Sequence, residues 1–278
     1  MRVGVVAARV ERTELHFRLG DGHGSVVVPT DIRRLGGADP SWPDEARPWM
    51  TSRGSGPVLD LACGSAPLRR LIPDLLCIGL DSSRAELGVA SSAGATPLIL
   101  ASSSDIPLSD KAVAAVVCSM ALRVLQPIDR TLDEVARVLR PGGMLVVIVP
   151  AGSPLSFRDR VRYARLFIAL RVARLGYPND DALTSPVSLL QSHGLNVLSD
   201  ERRRLRLDLS GQEECESFVQ SFYLPGRSST RACAAVRVAR RWQGSHIGIP
   251  LRRIVAIRSG SNIPSAWSIP RSAESNAN

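Results

Sequence analysis

The sequence predicts an α/β fold built on a doubly wound sheet, and three observations carry that expectation. Residues 58–67 read VLDLACGSAP, an apolar run that ends in an acid and enters a loop of small residues. A second apolar run, Leu76 to Leu80, ends the same way in Asp81 and leads into Ser82, Ser83 and a helix-like stretch. Apolar runs and helical spacing then alternate as far as Val149, the pattern of strands joined by crossover helices.

Residues 1–34 carry apolar or alternating stretches at Val3–Val10, Glu14–Leu19 and Ser25–Thr30, with GDGHG between the last two. They read as a small N-terminal β appendage, a hairpin or meander. Residues 35–57, rich in Gly, Pro and Ser, are a connector whose Trp42, Arg47 and Trp49 either close over a ligand or anchor the loop. The strand that opens at Val58 delivers Asp60 to the mouth of a tight turn, the outline of a nucleotide-cofactor site.

That cofactor is not a dinucleotide. Aligning GxGxxG on Gly64 puts Ala62 and Pro67 at the flanking glycine positions, and proline cannot supply the side-chain-free approach of the third glycine. No GxxxxGK[ST] loop is present either. An acid two residues before a short loop suits a ligand with a cationic amino group. Asp81, about 20 residues beyond the first loop, stands where a ribose diol is gripped; its competing reading is a helix N-cap.

A third short strand, Pro97–Ala101, is followed by SSSDIPLSD, and Ala112–Cys118 is a fourth. Asp129–Arg140 places Leu132, Val135, Ala136 and Leu139 at helical spacing, with Thr131 and Glu134 spaced as a capping box. Pro141, Gly142 and Gly143 end that helix, and Met144–Val149 is the fifth strand.

VLDLACGSA at 58–66, IGLDSS at 78–83, DIPLSD at 105–110 and LDEVARVLRPGGMLVVIVP at 132–150 together resemble the class I S-adenosylmethionine-dependent methyltransferases, specifically the methyltransferase type 11 group. The resemblance implies a Rossmann-like seven-stranded sheet with an antiparallel last strand, and S-adenosyl-L-methionine as cofactor. It implies that Asp60 and the backbone of Ala62 and Gly64 hold the methionine amino group, and that Asp81, beside Ser82, accepts from the ribose. Ser102 and Ser103, with Ile106, would border the adenine, and Ser119 to Leu122 would face the reacting methyl. Three residues depart from the family pattern: Ala66 in the loop, Ser102 at the adenine and Ala114 in strand four. Arg123 stands where many relatives have histidine, so no catalytic base is carried over.

Beyond Pro150 a helical pattern sets Val161, Ala164, Ile168, Val172 and Leu175 on one side, among arginines 158, 160, 162, 165, 171 and 174. So many charges exclude a membrane span, which leaves an amphipathic lid or insertion. A second helix near Asp181–Gln191, a strand near Leu195–Val197 continued by ERRRLRLDL, and helices at Ser217–Tyr223 and Arg231–Trp242 follow. Ile249–Ile257, with Arg252 and Arg253 inside it, resembles the antiparallel strand that inserts beside the fifth. The main domain is therefore expected over 58–258, with an acceptor-side lid within 151–245 and a disordered tail at 259–278.

With 278 residues and 44% hydrophobic content the chain can bury a large core. No signal peptide or membrane span is visible, and five cysteines without a CxxC pair read as reduced thiols of a cytoplasmic protein. His16, His23, His193 and His246 lie far apart, so no metal is expected.

Residues 1–150 hold 16 basic and 16 acidic side chains, whereas 151–278 hold 19 and 10, so the whole +9 net charge lies in the second half. An anionic substrate, an RNA backbone or an anionic membrane surface would each suit it. Aromatics are 4% of the chain and no RNA-binding module is present, which favours a small-molecule acceptor. His193, His246 and Tyr223 are candidate bases on the acceptor side, with a structural role the favoured reading of each. Three functions stay open: a small-molecule methyltransferase, an RNA methyltransferase, and a non-catalytic S-adenosylmethionine-binding protein. The oligomeric state, including a dimer, also stays open.

Overall fold

The computed structural model describes residues 13–19, 22–28, 56–71, 76–224 and 229–260. Near the N-terminus, strands β1 (Thr13–Leu19) and β2 (Gly22–Val28) pair as an antiparallel hairpin with Thr13 opposite Val28. The expected stretch Val3–Val10, most of the connector and residues 261–278 of the tail lie outside the described residues.

The main body is one seven-stranded sheet in the order β5-β4-β3-β6-β7-β9-β8. Its strands are β3 (Val58–Leu61), β4 (Cys77–Asp81), β5 (Leu98–Leu100), β6 (Val113–Ser119), β7 (Leu139–Pro150), β8 (Leu195–Leu209) and β9 (Ser245–Arg258). The first five run parallel, and β9 is antiparallel to both β7 and β8. The final strand thus enters beside the fifth strand of the parallel set, as expected, and the sheet ends at Arg258. The described helices are α1 (Leu68–Leu71), α2 (Arg84–Ser92), α3 (Ile128–Val138), α4 (Phe157–Leu170), α5 (Pro186–Ser192), α6 (Gln212–Gln220) and α7 (Ser229–Arg240).

All four residues of β3 are buried, as continuous apolar runs are when both sheet faces are covered. From β3 the chain steps outward to β4 and β5, then returns to lay β6 on the other flank of β3. The strand order therefore reverses between β3 and β6, and ligands of such sheets sit at the carboxyl ends beside that reversal. Asp60, Asp81 and Ser119 all lie at those ends.

Two expectations about helices need correction. Thr131 and Glu134 do not form a capping box: α3 begins at Ile128 behind Pro127, which offers no side-chain cap, and both residues are buried. The chain is already helical at Thr131, whose hydroxyl meets Ser103 at 3.0 Å. The helix also stops at Val138, and Pro141 to Gly143 fall within β7.

The second correction concerns α4. Its buried residues are Asp159, Arg162, Leu166 and Leu170, whereas Ala164 and Ile168 from the expected apolar side are exposed. Helix α4 ends at Leu170, where Arg171 takes a left-handed conformation, so Val172 and Leu175 are not part of it. Leu166 and Leu170 pack with Phe218, Val219, Ala235, Trp242 and Ile247 as a second hydrophobic cluster beside the core of the sheet. Strand β9 spans the two, with Ile247 in one and Ile254 in the other.

Candidate functional site

The loop after β3 is left-handed at alternate residues: φ is 56° at Ala62, 52° at Gly64 and 54° at Ala66. Glycine adopts this region freely, while each alanine costs on the order of 1 kcal/mol or more. The strain is offset by fixed partners. Cys63 N–H donates to Leu80 O at 3.0 Å, Gly64 N–H to Asp81 Oδ2 at 2.8 Å, and Ala66 N–H to Cys63 O at 2.8 Å. Cys63 can lie this close to β4 because Gly79 has no side chain; a Cβ there would stand 3.0 Å from Cys63 Sγ and 2.8 Å from Leu98 Cδ2.

Asp81 braces two loops. While Oδ2 holds the first loop, Oδ1 accepts from Ser83 N–H at 2.8 Å, and Ser83, not Asp81, caps α2 through Glu86 N–H. Each carboxylate oxygen keeps a second acceptor direction, so a diol donor can still be received. Ser82, next in the chain, is exposed.

Asp60 is buried, 3% exposed, and its Oδ2 has no hydrogen-bond partner among the described residues. Burial, and next the charge of Asp81, push its pKa from the ordinary carboxylate range up to about 7. An orphaned buried carboxylate of this kind is a receptor for a cationic donor. The residues present therefore fit the ammonium group and ribose of S-adenosylmethionine.

The segment expected at the adenine divides. Ser102 is exposed and meets Ser104 Oγ at 2.8 Å, whereas Ser103 is 8% exposed and turned to Thr131. Ile106 is a member of the main core at 2% exposure. Glu134 accepts from Ile106 N–H at 2.8 Å, and Arg137 donates to Ile106 O, Leu108 O and Asp110. Hydrogen bonds from Arg137 hold the Glu134 carboxylate below its ordinary range against the opposing effect of burial. DIPLSD and LDEVARVLR thus occur together because one side-chain pair of the helix fixes the loop.

On the other side of the reversal, Ser119 is half-buried and Met120, at φ 62°, is buried. Met120 lines a cavity of about 190 Å³ with Pro150 and Leu251 from the sheet and Tyr163, Phe167, Tyr177, Phe218 and Phe222 from the segments between β7 and β9. Those five rings are most of the eight Phe and Tyr residues of the chain. Tyr223, a sixth, stacks on Tyr177 with centroids 5.4 Å apart. Burial pushes the Tyr177 phenol up to about 12 and the Tyr163 phenol higher still, and Tyr163 Oη donates to Gly248 O at 3.0 Å. Arg123 lies over the Tyr177 ring at 5.4 Å and pairs with Asp180.

The five lining rings were missed from sequence, although Tyr163 and Phe167 are four apart on one face of α4; Phe218 lies on α6 and Phe222 two residues beyond its end. His193 instead sits against Asp133 and Asp129 of α3, at 2.7 and 3.3 Å, and His246 lies on β9 opposite Asp208; neither lines the cavity. Many arginines of the second half are bound within the fold: Arg252 to Asp200, Arg253 to Glu201, Arg204 to Asp159, Arg206 to Asp208 and Arg240 to Glu216.

Residues 59–147 match the model of a family described as a methyltransferase domain. An uncharacterized methyltransferase of Mycobacterium tuberculosis is 36% identical over 112 residues, 39% of this chain and 46% of that protein. A demethylmenaquinone methyltransferase of Mycolicibacterium paratuberculosis is 34% identical over 152 residues, 52% of this chain and 64% of the relative. The chain thus spans roughly half the length of the curated relatives it matches. Among solved structures, the YcgJ protein of Bacillus subtilis aligns over 78% of this chain and 98% of its own, with a TM-score of 0.53 at 17% identity. That likeness shows the fold.

Proposed function

We propose that this chain, which carries a class I methyltransferase domain of the type 11 group, transfers the methyl group of S-adenosylmethionine to a small, planar, largely apolar acceptor. The observation that carries the acceptor class is the aromatic cavity, because Met120 and Pro150, at the ends of β6 and β7, set it on the sheet end that bears Asp60, Asp81 and Ser119. Among the matched relatives, several are named demethylmenaquinone methyltransferases, which supports an acceptor of that shape.

Bound S-adenosylmethionine supplies an electrophilic methyl on a sulfonium. Asp60 would orient it through the amino group, Asp81 through the ribose hydroxyls, and the left-handed loop by close backbone approach. The ring-lined cavity would hold the acceptor in line and exclude water, which accounts for much of the rate in such displacements. The lining phenols stay protonated at neutral pH and do not serve as bases. The acceptor nucleophile is therefore one that needs little help: an amine, an acidic phenol or an enolisable carbon.

Methyl-labelled S-adenosylmethionine incubated with the protein and a fractionated cell extract tests this reading. Label is expected in the small-molecule, organic-soluble fraction. Label confined to RNA or protein would overturn the acceptor class, and absence of cofactor binding by calorimetry would overturn the whole assignment.

A further inference from the structure

Helix α4 has two working faces. Its inner face gives Tyr163 and Phe167 to the cavity, while its outer face carries Phe157, Val161, Ala164 and Ile168 at the i, i+4, i+7, i+11 spacing of one stripe. Phe157 is 82% and Ile168 76% exposed, the most exposed large apolar side chains among the described residues. Burying neither, the fold leaves uncompensated apolar surface on a helix that already has a buried side.

Arginines flank this stripe on both sides, Arg158 and Arg165 along one edge and Arg160 and Arg171 along the other. All four are exposed, and none makes an ion pair among the described residues. The one acid on the helix, Asp159, points inward to Gly248 and Arg204. Along the Arg158/Arg165 edge two shallow grooves run toward α7, lined by Val161, Ile168, Val238, Arg241 and the edge of Trp242. An apolar stripe with cationic rails, beside grooves whose described lining holds no acid, is complementary to a surface that is apolar within and anionic at its headgroups.

We propose that the outer face of α4 docks on an anionic phospholipid bilayer, with Phe157 and Ile168 inserted and Arg158, Arg160, Arg165, Arg171 and Arg241 on the headgroup phosphates. The consequence for catalysis, delivery of a membrane-dissolved acceptor to the cavity behind the same helix, rests on the function proposed above; the docking itself does not.

Sedimentation of the full chain with vesicles, without cofactor, separates the two. Binding is expected to vesicles of phosphatidylcholine with phosphatidylglycerol, to weaken with added NaCl, and to be slight with phosphatidylcholine alone. Phe157→Ser with Ile168→Ser should lower partitioning about tenfold or more, and Arg158→Gln or Arg165→Gln about fivefold each. These positions are exposed, so circular dichroism should show the variants folded. No binding to phosphatidylglycerol vesicles would overturn the proposal, as would binding that the Phe157 and Ile168 variants leave unchanged. Tighter binding to an RNA duplex, indifferent to Phe157 and Ile168, would assign the arginines to nucleic acid and overturn it too.

Discussion

At Asp60 the fold keeps a carboxylate where its charge is costly. The group's pKa is raised in the folded protein to about 7, so the native state holds a proton that the unfolded chain has already released. The sign follows by linkage: the fold loses stability as pH rises from about 4, the unfolded value, and the loss is complete above about 7. Asp60→Asn removes that dependence. It is expected to stabilise the ligand-free protein by on the order of 2–4 kcal/mol at pH 8 and by little at pH 4, as read by thermal denaturation. The same substitution should weaken S-adenosylmethionine binding about tenfold or more, because the cationic partner loses its counter-charge. A variant that binds as tightly as the parent would remove Asp60 from the site.

Among elements, α4 shows where sequence reading succeeds and where it stops. The strands that end in Asp60 and Asp81 were legible because an apolar run closed by an acid has few other uses. For α4 the sequence offers two apolar stripes, one with Leu166 and Leu170 and one with Val161, Ala164 and Ile168, and the first also contains charged Asp159 and Arg162. That stripe is buried because its charges have partners no local pattern reveals: Asp159 accepts from Ser156, Gly248 and Arg204, and Arg162 donates to Ser245 and the carbonyl of His246. Thr131 and Glu134 misled in the same way, since their partners lie on a loop 28 residues back.

Burial works against the Asp159 charge, yet the bonds from Arg204, Ser156 and Gly248 hold its pKa well below the carboxylate range. Its contribution is therefore present above the unfolded pKa and lost only in acid. Asp159→Ala should destabilise the protein by about 2–4 kcal/mol in urea denaturation at pH 7, since it removes the acidic half of the α4 capping box, takes the acceptor from the buried Gly248 N–H and unpairs Arg204. A loss under 0.5 kcal/mol would mean that α4 is held by its apolar cluster alone.

For the whole molecule the decisive fact is that the second half of the chain completes the sheet. β9 pairs with β7 from Met144↔Ile257 to Pro150↔Leu251, and Leu183, Leu190, Leu195, Ile254 and Ala256 belong to the main core. Residues 1–150 alone, although they contain every motif of the proposed cofactor site, should show no cooperative urea transition and should aggregate through the bare edge of β7. A soluble, cooperatively folding fragment would contradict this. The expectation that 151–258 is partly core, drawn from PLRRIVAIR, was legible only by resemblance; nothing in the composition of that segment separates it from an appended unit.

The position of β9 also sets a schedule. Synthesis is vectorial, and the strand that must lie between β7 and β8 is the last of the sheet to be made. At ~5–20 residues per second, roughly 5–20 s separate the completion of β7 from that of its neighbour. Throughout that interval the nascent chain displays a largely apolar strand with one edge unpaired, and the arginines of 158–174 are the first charged segment to follow it. That segment is therefore the first to set charge beside a half-made sheet before its partner strand arrives.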